Sequence, residues 1–251
     1  MRLLEVVRGK RTSKQTLLTA LALSKGMGKI AVVGFIVNRI GQIYRRECEL
    51  MLEEGCLPHE IDSAMRAFGF ARRPFEVADL AGLDVSWARR RRLAATRLAD
   101  ERYVCIADRL CEDGHFGQKT ASGWYRYDTC GRTPIRNPVF EALIVEESVA
   151  KGIARRAFKQ EEIQRRALSA MVNEACLVLD AGIAARASDI DVAIVNGLGF
   201  PRSWGGPLSW AARQPAAVTE RGQDEIAKAA GHRHVRAAGL PRIIDASGSA
   251  V

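Results

Sequence analysis

The chain has 251 residues, of which 47% are hydrophobic, and its formal net charge is +9. This length and apolar content predict one large or two small folded domains and exclude wholesale disorder. No apolar run approaches the ~20 residues of a membrane span, and the first residues lack the apolar core of a signal peptide. The six cysteines show no CxxC spacing, which favours reduced thiols in the cytoplasm and disfavours a metal site.

The first 34 residues predict a strand, a helix and a second strand. Residues 3–7 are apolar and end in β-branched valines, residues 14–24 have helical apolar spacing after a Thr12-Ser13 cap, and residues 30–33 are again apolar. A GxGxxA match starts at Gly26, but a helix precedes it and a strand follows it. Since a dinucleotide fingerprint needs the reverse order, we interpret this match as a helix C-cap and turn.

The rest of the chain predicts helices, with one irregular segment between them. The expected units are a first helical domain, a linker rich in glycine and proline, a second helical domain, and an alanine- and glycine-rich tail that is divergent and open to disorder. The sheet segment is predicted at 1–34, the first helical domain at 35–128 and the linker at 129–158. The second helical domain is predicted at 159–213 and the tail at 214–251.

The second half of the chain repeats landmarks of the first half in the same order. They are a glutamate in an apolar helix, an Ile-Asp pair, a glycine turn before phenylalanine, and a proline before a large apolar residue. The matched positions are Glu47 and Glu174, Ile61-Asp62 and Ile190-Asp191, residues 68–70 and 198–200, and Pro74-Phe75 and Pro207-Leu208. Such a repeat predicts a duplicated domain, and two like domains can pack as the subunits of a dimer do, here as an internal pseudo-dimer.

Two polar residues stand in apolar surroundings. Glu5 lies inside LLEVV, where a carboxylate is costly without a partner. It is either an edge-strand residue that faces water or a carboxylate that orients a histidine. Asn38, early in an apolar helix, predicts a local backbone hydrogen bond or a donor to a ligand carbonyl.

Several ordered motifs together resemble the 3-hydroxyacyl-CoA dehydrogenases. They are MRLLEVVRGKRTS, GFIVNRI, MLEEG, RPFEVADLAGLD and FGQKTASGWYRY, and in the second half NGLGFPRSWGGPLSWA. The second half is similar to the last domain of the multifunctional β-oxidation enzymes, which fuse an enoyl-CoA hydratase to the dehydrogenase. The resemblance implies a mainly α fold, with two tandem duplicated helical domains like the C-terminal domain of 6-phosphogluconate dehydrogenase. These follow a strand–helix–strand remnant of a Rossmann sheet.

The resemblance also implies roles for individual residues. Glu5 matches the glutamate of a His–Glu catalytic dyad, Asn38 matches the asparagine near the reacting carbon of the substrate, and Pro74 and Phe75 match the segment beside the acyl pocket. The family uses NAD, but its fingerprint and the dyad histidine belong upstream of Glu5. No cofactor-binding or metal-binding residue is therefore assigned in this chain.

Other departures from the family pattern concern the backbone. Val33 runs directly into Gly34, where the family has extra residues, and the tail after Arg213 differs from the family's last helices. The family's Gly-Pro and KTG become Arg73-Pro74 and Lys119-Thr120-Ala121. Arginine or alanine at these places is expected to strain the backbone if glycine served a positive φ.

The predicted function is that of the C-terminal part of an NAD-dependent 3-hydroxyacyl-CoA dehydrogenase of fatty-acid β-oxidation, inactive alone. Expected partners are an acyl-CoA substrate and a separate Rossmann half or hydratase subunit. The alternative is a non-catalytic helical module for acyl-CoA binding or assembly. Nucleic-acid binding is disfavoured because no DNA- or RNA-binding module accompanies the positive charge.

Overall fold

The computed structural model describes residues 2–98, 100–128, 132–230 and 234–244. The N-terminal unit consists of β1 (Leu3–Val6), α1 (Lys14–Gly26) and β2 (Ile30–Val33). The two strands are parallel, with Leu3 opposite Ile30. The Ser13 hydroxyl accepts a hydrogen bond from Thr16 N at 3.1 Å and caps α1. The predicted strand–helix–strand order is therefore confirmed.

Six helices follow this unit. The first begins at Val37, and the fourth is preceded by Gly82 at its cap position and carries Asp84 in its first turn. They are α2 (Val37–Glu54), α3 (Pro58–Phe68), α4 (Pro74–Ala81), α5 (Leu83–Leu93), α6 (Ile106–Glu112) and α7 (Pro138–Ala150).

Helix α7 lies inside the segment predicted as a linker. It packs against α2 and α6, and its Phe140 and Ile144 are buried. The linker interpretation rested on the glycine and prolines of residues 129–138. Pro138, however, occupies the first turn of α7, where proline is tolerated and has a suitable φ. A helix therefore starts where the sequence suggested only irregular chain.

The second helical copy contains α8 (Gln160–Asp180), α9 (Ala187–Gly197) and α10 (Pro207–Ala211), and is followed by α11 (Ala216–Ala230) and α12 (Leu240–Ile244). The expectation that residues 214–251 form a tail open to disorder is wrong for α11 and α12, which lie against α8 and bury Ile226 and Leu240. Small residues explain the error. A Cβ at Gly222 would lie 2.1 Å from Ser169 Oγ, so the helices approach closely without large apolar side chains.

Helices α2 and α8 form the centre of the molecule. Their facing side chains are fully buried, among them Ile40, Met51, Met171 and Val172. Such burial contributes roughly 1.5–3 kcal/mol for each large apolar side chain. The two helices that carry the repeated glutamates are thus the pair that joins the copies.

Some negative findings apply to the described residues alone. None of their helices is long and apolar enough to cross a membrane. They contain no cluster of metal-ligating side chains.

Five cysteines are free thiols (Cys48, Cys56, Cys105, Cys111, Cys176), and burial raises the pKa of Cys56 and Cys176 to about 12. Cys130 lies outside the described residues.

Candidate active-site region

Glu5 ties the sheet to the first long helix. Its Oε1 accepts hydrogen bonds from Ile36 N at 2.7 Å and from Val37 N at 3.0 Å. The first N–H groups of a helix have no partner within the helix, and the helix dipole favours a negative charge there. The half-buried Glu5 carboxylate therefore has hydrogen-bond partners in the protein. It is not an edge-strand side chain that only faces water.

Asn38 lies one residue beyond this link, exposed on the first turn of α2. The structure thus brings Glu5 and Asn38 to the same end of α2. Pro74 and Phe75 lie elsewhere, buried at the start of α4, where the Phe75 ring meets Trp124 edge-on at 4.8 Å between centroids. Their place beside an acyl pocket stays a prediction.

The second copy contributes a wall to the end of α2 that carries Asn38. A Cβ at Gly197 would lie 2.6 Å from Val37 Cγ2, so the end of α9 presses on the first turn of α2. A Cβ at Gly41 would lie 3.1 Å from Leu198 Cδ2. Gly41 follows Asn38 by three residues and shares its helical face. Residues of both copies therefore surround this region.

The repeated aspartates cap matching helices in the two copies. Asp62 accepts hydrogen bonds from Phe75 N at 3.0 Å and Glu76 N at 3.2 Å, at the start of α4. Asp191 accepts from Leu208 N at 2.9 Å and Ser209 N at 3.0 Å, at the start of α10. Sequence reasoning noticed both Ile-Asp pairs but gave them no role. The available signal was that each pair precedes a helix that begins at a proline, Pro74 in the first copy and Pro207 in the second.

Aspartates also anchor the WYRY segment to the first copy. Asp79 accepts from Trp124 N, Tyr125 N and Tyr127 Oη, each at 2.9 Å, and Tyr125 Oη donates to Asp62 at 2.9 Å. Burial raises the pKa of the Asp62 carboxyl to about 7 and that of Asp79 to about 6, against the lowering effect of these donors. Both groups serve structure here, because their oxygens are turned to backbone amides and phenols.

Reciprocal ion pairs join α2 to α8. Arg166 on α8 donates to Glu47 on α2, with 2.8 Å between Nε and Oε1, and Arg39 on α2 pairs with Glu174 on α8. Each arginine precedes the glutamate of its own helix by eight residues. A two-fold interface gives this pattern, in which residue i of one half contacts j of the other and j contacts i. Phe70 and Phe200, which are matched in the repeat, meet edge-on at 5.2 Å.

The described residues do not fit the pyrophosphate of a dinucleotide. That group needs a glycine-rich turn between a strand and a helix N-terminus. Between β1 and α1 the chain has one glycine, Gly9, and the Ser13 hydroxyl already caps the helix. Gly28 has a φ of +63° and its N–H bonds to Lys25 O, as the C-terminal turn of α1 requires.

This geometry, with duplicated helices packed through a pseudo-two-fold interface after a parallel βαβ unit, defines a class of two-copy helical proteins. The family model described as "3-hydroxyacyl-CoA dehydrogenase, C-terminal domain" matches residues 34–127 and 163–248. The chain therefore belongs to the 3-hydroxyacyl-CoA dehydrogenase family of oxidoreductases, and the resemblance seen in the sequence is confirmed. The second match runs well past Arg213, so the prediction that the tail departs from the family is wrong.

Among curated proteins, the chain is similar to the peroxisomal bifunctional enzymes of Danio rerio and Homo sapiens, each 40% identical over 228 residues. The match covers 84% of this chain and 32% of the relative in both cases. The glyoxysomal fatty acid beta-oxidation multifunctional protein MFP-a of Cucumis sativus is 33% identical over 220 residues. That match covers 84% of this chain and 30% of the relative. The chain thus spans about a third of the length of these relatives.

Solved structures of other proteins share the fold. The 3-hydroxybutyryl-CoA dehydrogenase of Escherichia coli K12 has a TM-score of 0.75 at 22% identity, and the match covers 100% of this chain and 69% of that chain. The dehydrogenase part of multifunctional enzyme 1 from C. elegans has a TM-score of 0.70 at 24% identity. The match covers 97% of this chain and 56% of that chain. The mainly α fold with a small parallel sheet is confirmed.

Proposed function

We propose that this chain is the acyl-CoA-binding helical part of an NAD-dependent 3-hydroxyacyl-CoA dehydrogenase of fatty-acid β-oxidation, which converts 3-hydroxyacyl-CoA to 3-ketoacyl-CoA. The observation that carries the proposal is the convergence of Glu5 and Asn38 at the start of α2. The names of the relatives, which refer to bifunctional enzymes and fatty acid beta-oxidation, support it.

In this proposal Glu5 positions a histidine that acts as the general base. Two backbone amides fix Oε1, and we assign Oε2 to that histidine. Among the described residues, His59 lies against Glu141 and His115 against the Phe140 ring, so these two histidines have partners other than Glu5. Asn38 would hold the substrate oxygen by donating a hydrogen bond, and NAD would supply the hydride acceptor from another polypeptide segment.

The first experiment measures NADH consumption with acetoacetyl-CoA by this chain alone, together with acetoacetyl-CoA binding by calorimetry. We expect binding without turnover, because a dyad without its base loses typically 10²–10⁴-fold in rate and the described residues do not fit NAD. Turnover would show that a base and a cofactor site exist among residues assigned here to structure. Absence of binding would remove the acyl-CoA function.

A second candidate is an assembly module without chemistry. The N-terminal unit exposes several large apolar side chains, including Leu18 at 51%, Leu23 at 62% and Val7 at 58%. Such a surface favours contact with another protein surface, for which a Rossmann half or a hydratase subunit is the proposed partner. Size-exclusion chromatography of the chain alone tests this. A monodisperse monomer without self-association argues against an exposed apolar interface.

The proposed compartment is one that keeps thiols reduced. The free cysteines favour the cytoplasm, whereas the relatives are named for the peroxisome and the glyoxysome. Microscopy of the tagged protein in its own cells would distinguish these locations.

A further inference from the structure

Leu198 occupies a place where the two copies meet beside Asn38. It follows α9 directly, is half-buried, and fills the space left by the missing side chain of Gly41. Gly41 lies three residues beyond Asn38 on the same face of α2, so Leu198 packs beside the helical turn that carries Asn38. Gly197 holds the end of α9 against Val37 and thereby fixes where Leu198 can lie.

The pseudo-two-fold relation indicates that this position lines a groove. The repeat matches Leu198 to Phe68, and matches Gly41 to Leu168. Phe68 and Leu168 both line a groove of about 560 Å³ against the second copy. Its other apolar walls include Trp204 and Trp210. The same relation matches Arg165, which also lines this groove, to Asn38, and it matches Phe68 to the smaller Leu198.

We propose that Leu198 is a specificity-determining residue, which forms part of the wall of the acyl-CoA groove beside Asn38 and limits the bulk of the acyl chain. This inference rests on the proposed acyl-CoA function. An apolar side chain at the edge of such a groove contacts substrate methylenes without bonding to the reacting atoms. One methylene more or less in an apolar pocket changes discrimination by roughly 10–200-fold.

The test compares two acyl-CoAs by isothermal titration calorimetry on the full chain: acetoacetyl-CoA, with four acyl carbons, and 3-oxodecanoyl-CoA, with ten. We expect Leu198→Ala to shift the ratio of their Kd values by about tenfold toward the ten-carbon ligand, and Leu198→Phe to shift it toward the four-carbon ligand. Leu198→Met, of similar volume, should leave the ratio unchanged. The matched control is Val192→Ala, at an exposed position on α9, the helix that Leu198 follows.

The outcomes separate this inference from the function on which it rests. If the unmodified chain binds neither ligand, the proposed function fails and the role of Leu198 falls with it. If the chain binds both ligands and the ratio is the same in every Leu198 variant, only the role of Leu198 is overturned. Should Leu198→Ala fail to fold, the opposed Phe and Met variants still decide the matter.

Discussion

Ala121 shows what a single side chain costs in this fold. Among the described residues it is the non-glycine residue with a positive φ, +57°, and it stands where the family pattern has glycine. The expected strain is therefore present. We predict that Ala121→Gly raises the free energy of unfolding by about 1 kcal/mol, because the left-handed conformation costs an L-residue roughly 1–2 kcal/mol. Urea denaturation at neutral pH measures this.

Arg73 is the natural control for that experiment. It too replaces a family glycine, but its φ of −92° and ψ of 144° are extended backbone. The strain expected there is absent, since a residue before proline favours this region. Arg73→Gly should bring no gain in stability, and a gain equal to that of Ala121→Gly would refute the conformational explanation.

Asp62 links stability to pH at the scale of one carboxyl group. Burial raises its pKa from 3.8 to about 7 in the folded protein. Between these values the unfolded chain has released a proton that the folded chain keeps, so this group's contribution to stability is present at low pH and lost as pH rises toward about 7. We predict that the free energy of unfolding of Asp62→Asn rises relative to that of the unmodified chain as pH increases across that window. The change is at most about 4 kcal/mol.

Urea denaturation of both proteins at pH values between about 4.5 and 7.5 checks the sign. The loss of the Glu76 N–H acceptor lowers the stability of the variant at every pH and does not affect the slope. A difference that is constant with pH would mean that the three donors keep the carboxyl group ionised throughout.

At the scale of elements, the contact between β1 and α2 depends on one side chain. Glu5→Ala leaves Ile36 N and Val37 N without their acceptor, and we expect a loss of about 1–2 kcal/mol, as for the removal of a helix cap. Glu5→Gln keeps an acceptor oxygen and should lose less. Hydrogen exchange at these two amides is the direct measurement, and unaltered protection in Glu5→Ala would contradict the link.

The sequence predicted most of these elements because their boundaries have local chemical causes. Ser13 caps α1, and prolines start α3 and α4. It failed for α7 and α11 for a different reason. Their packing partners lie far away in sequence, and α11 is held by small residues whose value appears only when Gly222 meets Ser169. Composition alone undervalues such an interface.

At the scale of the whole molecule, the two reciprocal ion pairs should differ in energy. The Arg166 side chain is 2% exposed and also meets Glu54, whereas the Arg39 side chain is 32% exposed. Removing one partner of a buried pair costs about 3–5 kcal/mol, and of an exposed pair about 1 kcal/mol or less. We therefore predict that Arg166→Ala destabilises the fold far more than Arg39→Ala. Guanidinium denaturation of the two variants decides this, and equal losses would contradict it.

The candidate site was predictable only in part. Glu5 and Asn38 could be picked out because each is polar within an apolar run. The walls around them could not, since Gly197 and Leu198 come from the other copy and reach α2 only through tertiary packing. The pairing of Arg39 with Glu174 was hidden for the same reason, although its eight-residue spacing recurs in both halves.

The pairing of Phe70 with Phe200 has a consequence for behaviour in solution. Contacts of this kind between separate subunits vanish on dilution, whereas here about 130 residues of one backbone connect the two rings. Their local concentration is fixed by the chain and not by the sample. Each half can also accumulate its own substitutions, because a change in one copy is not mirrored in the other. The dimer-like interface is therefore present at any protein concentration, and its two sides can differ in sequence.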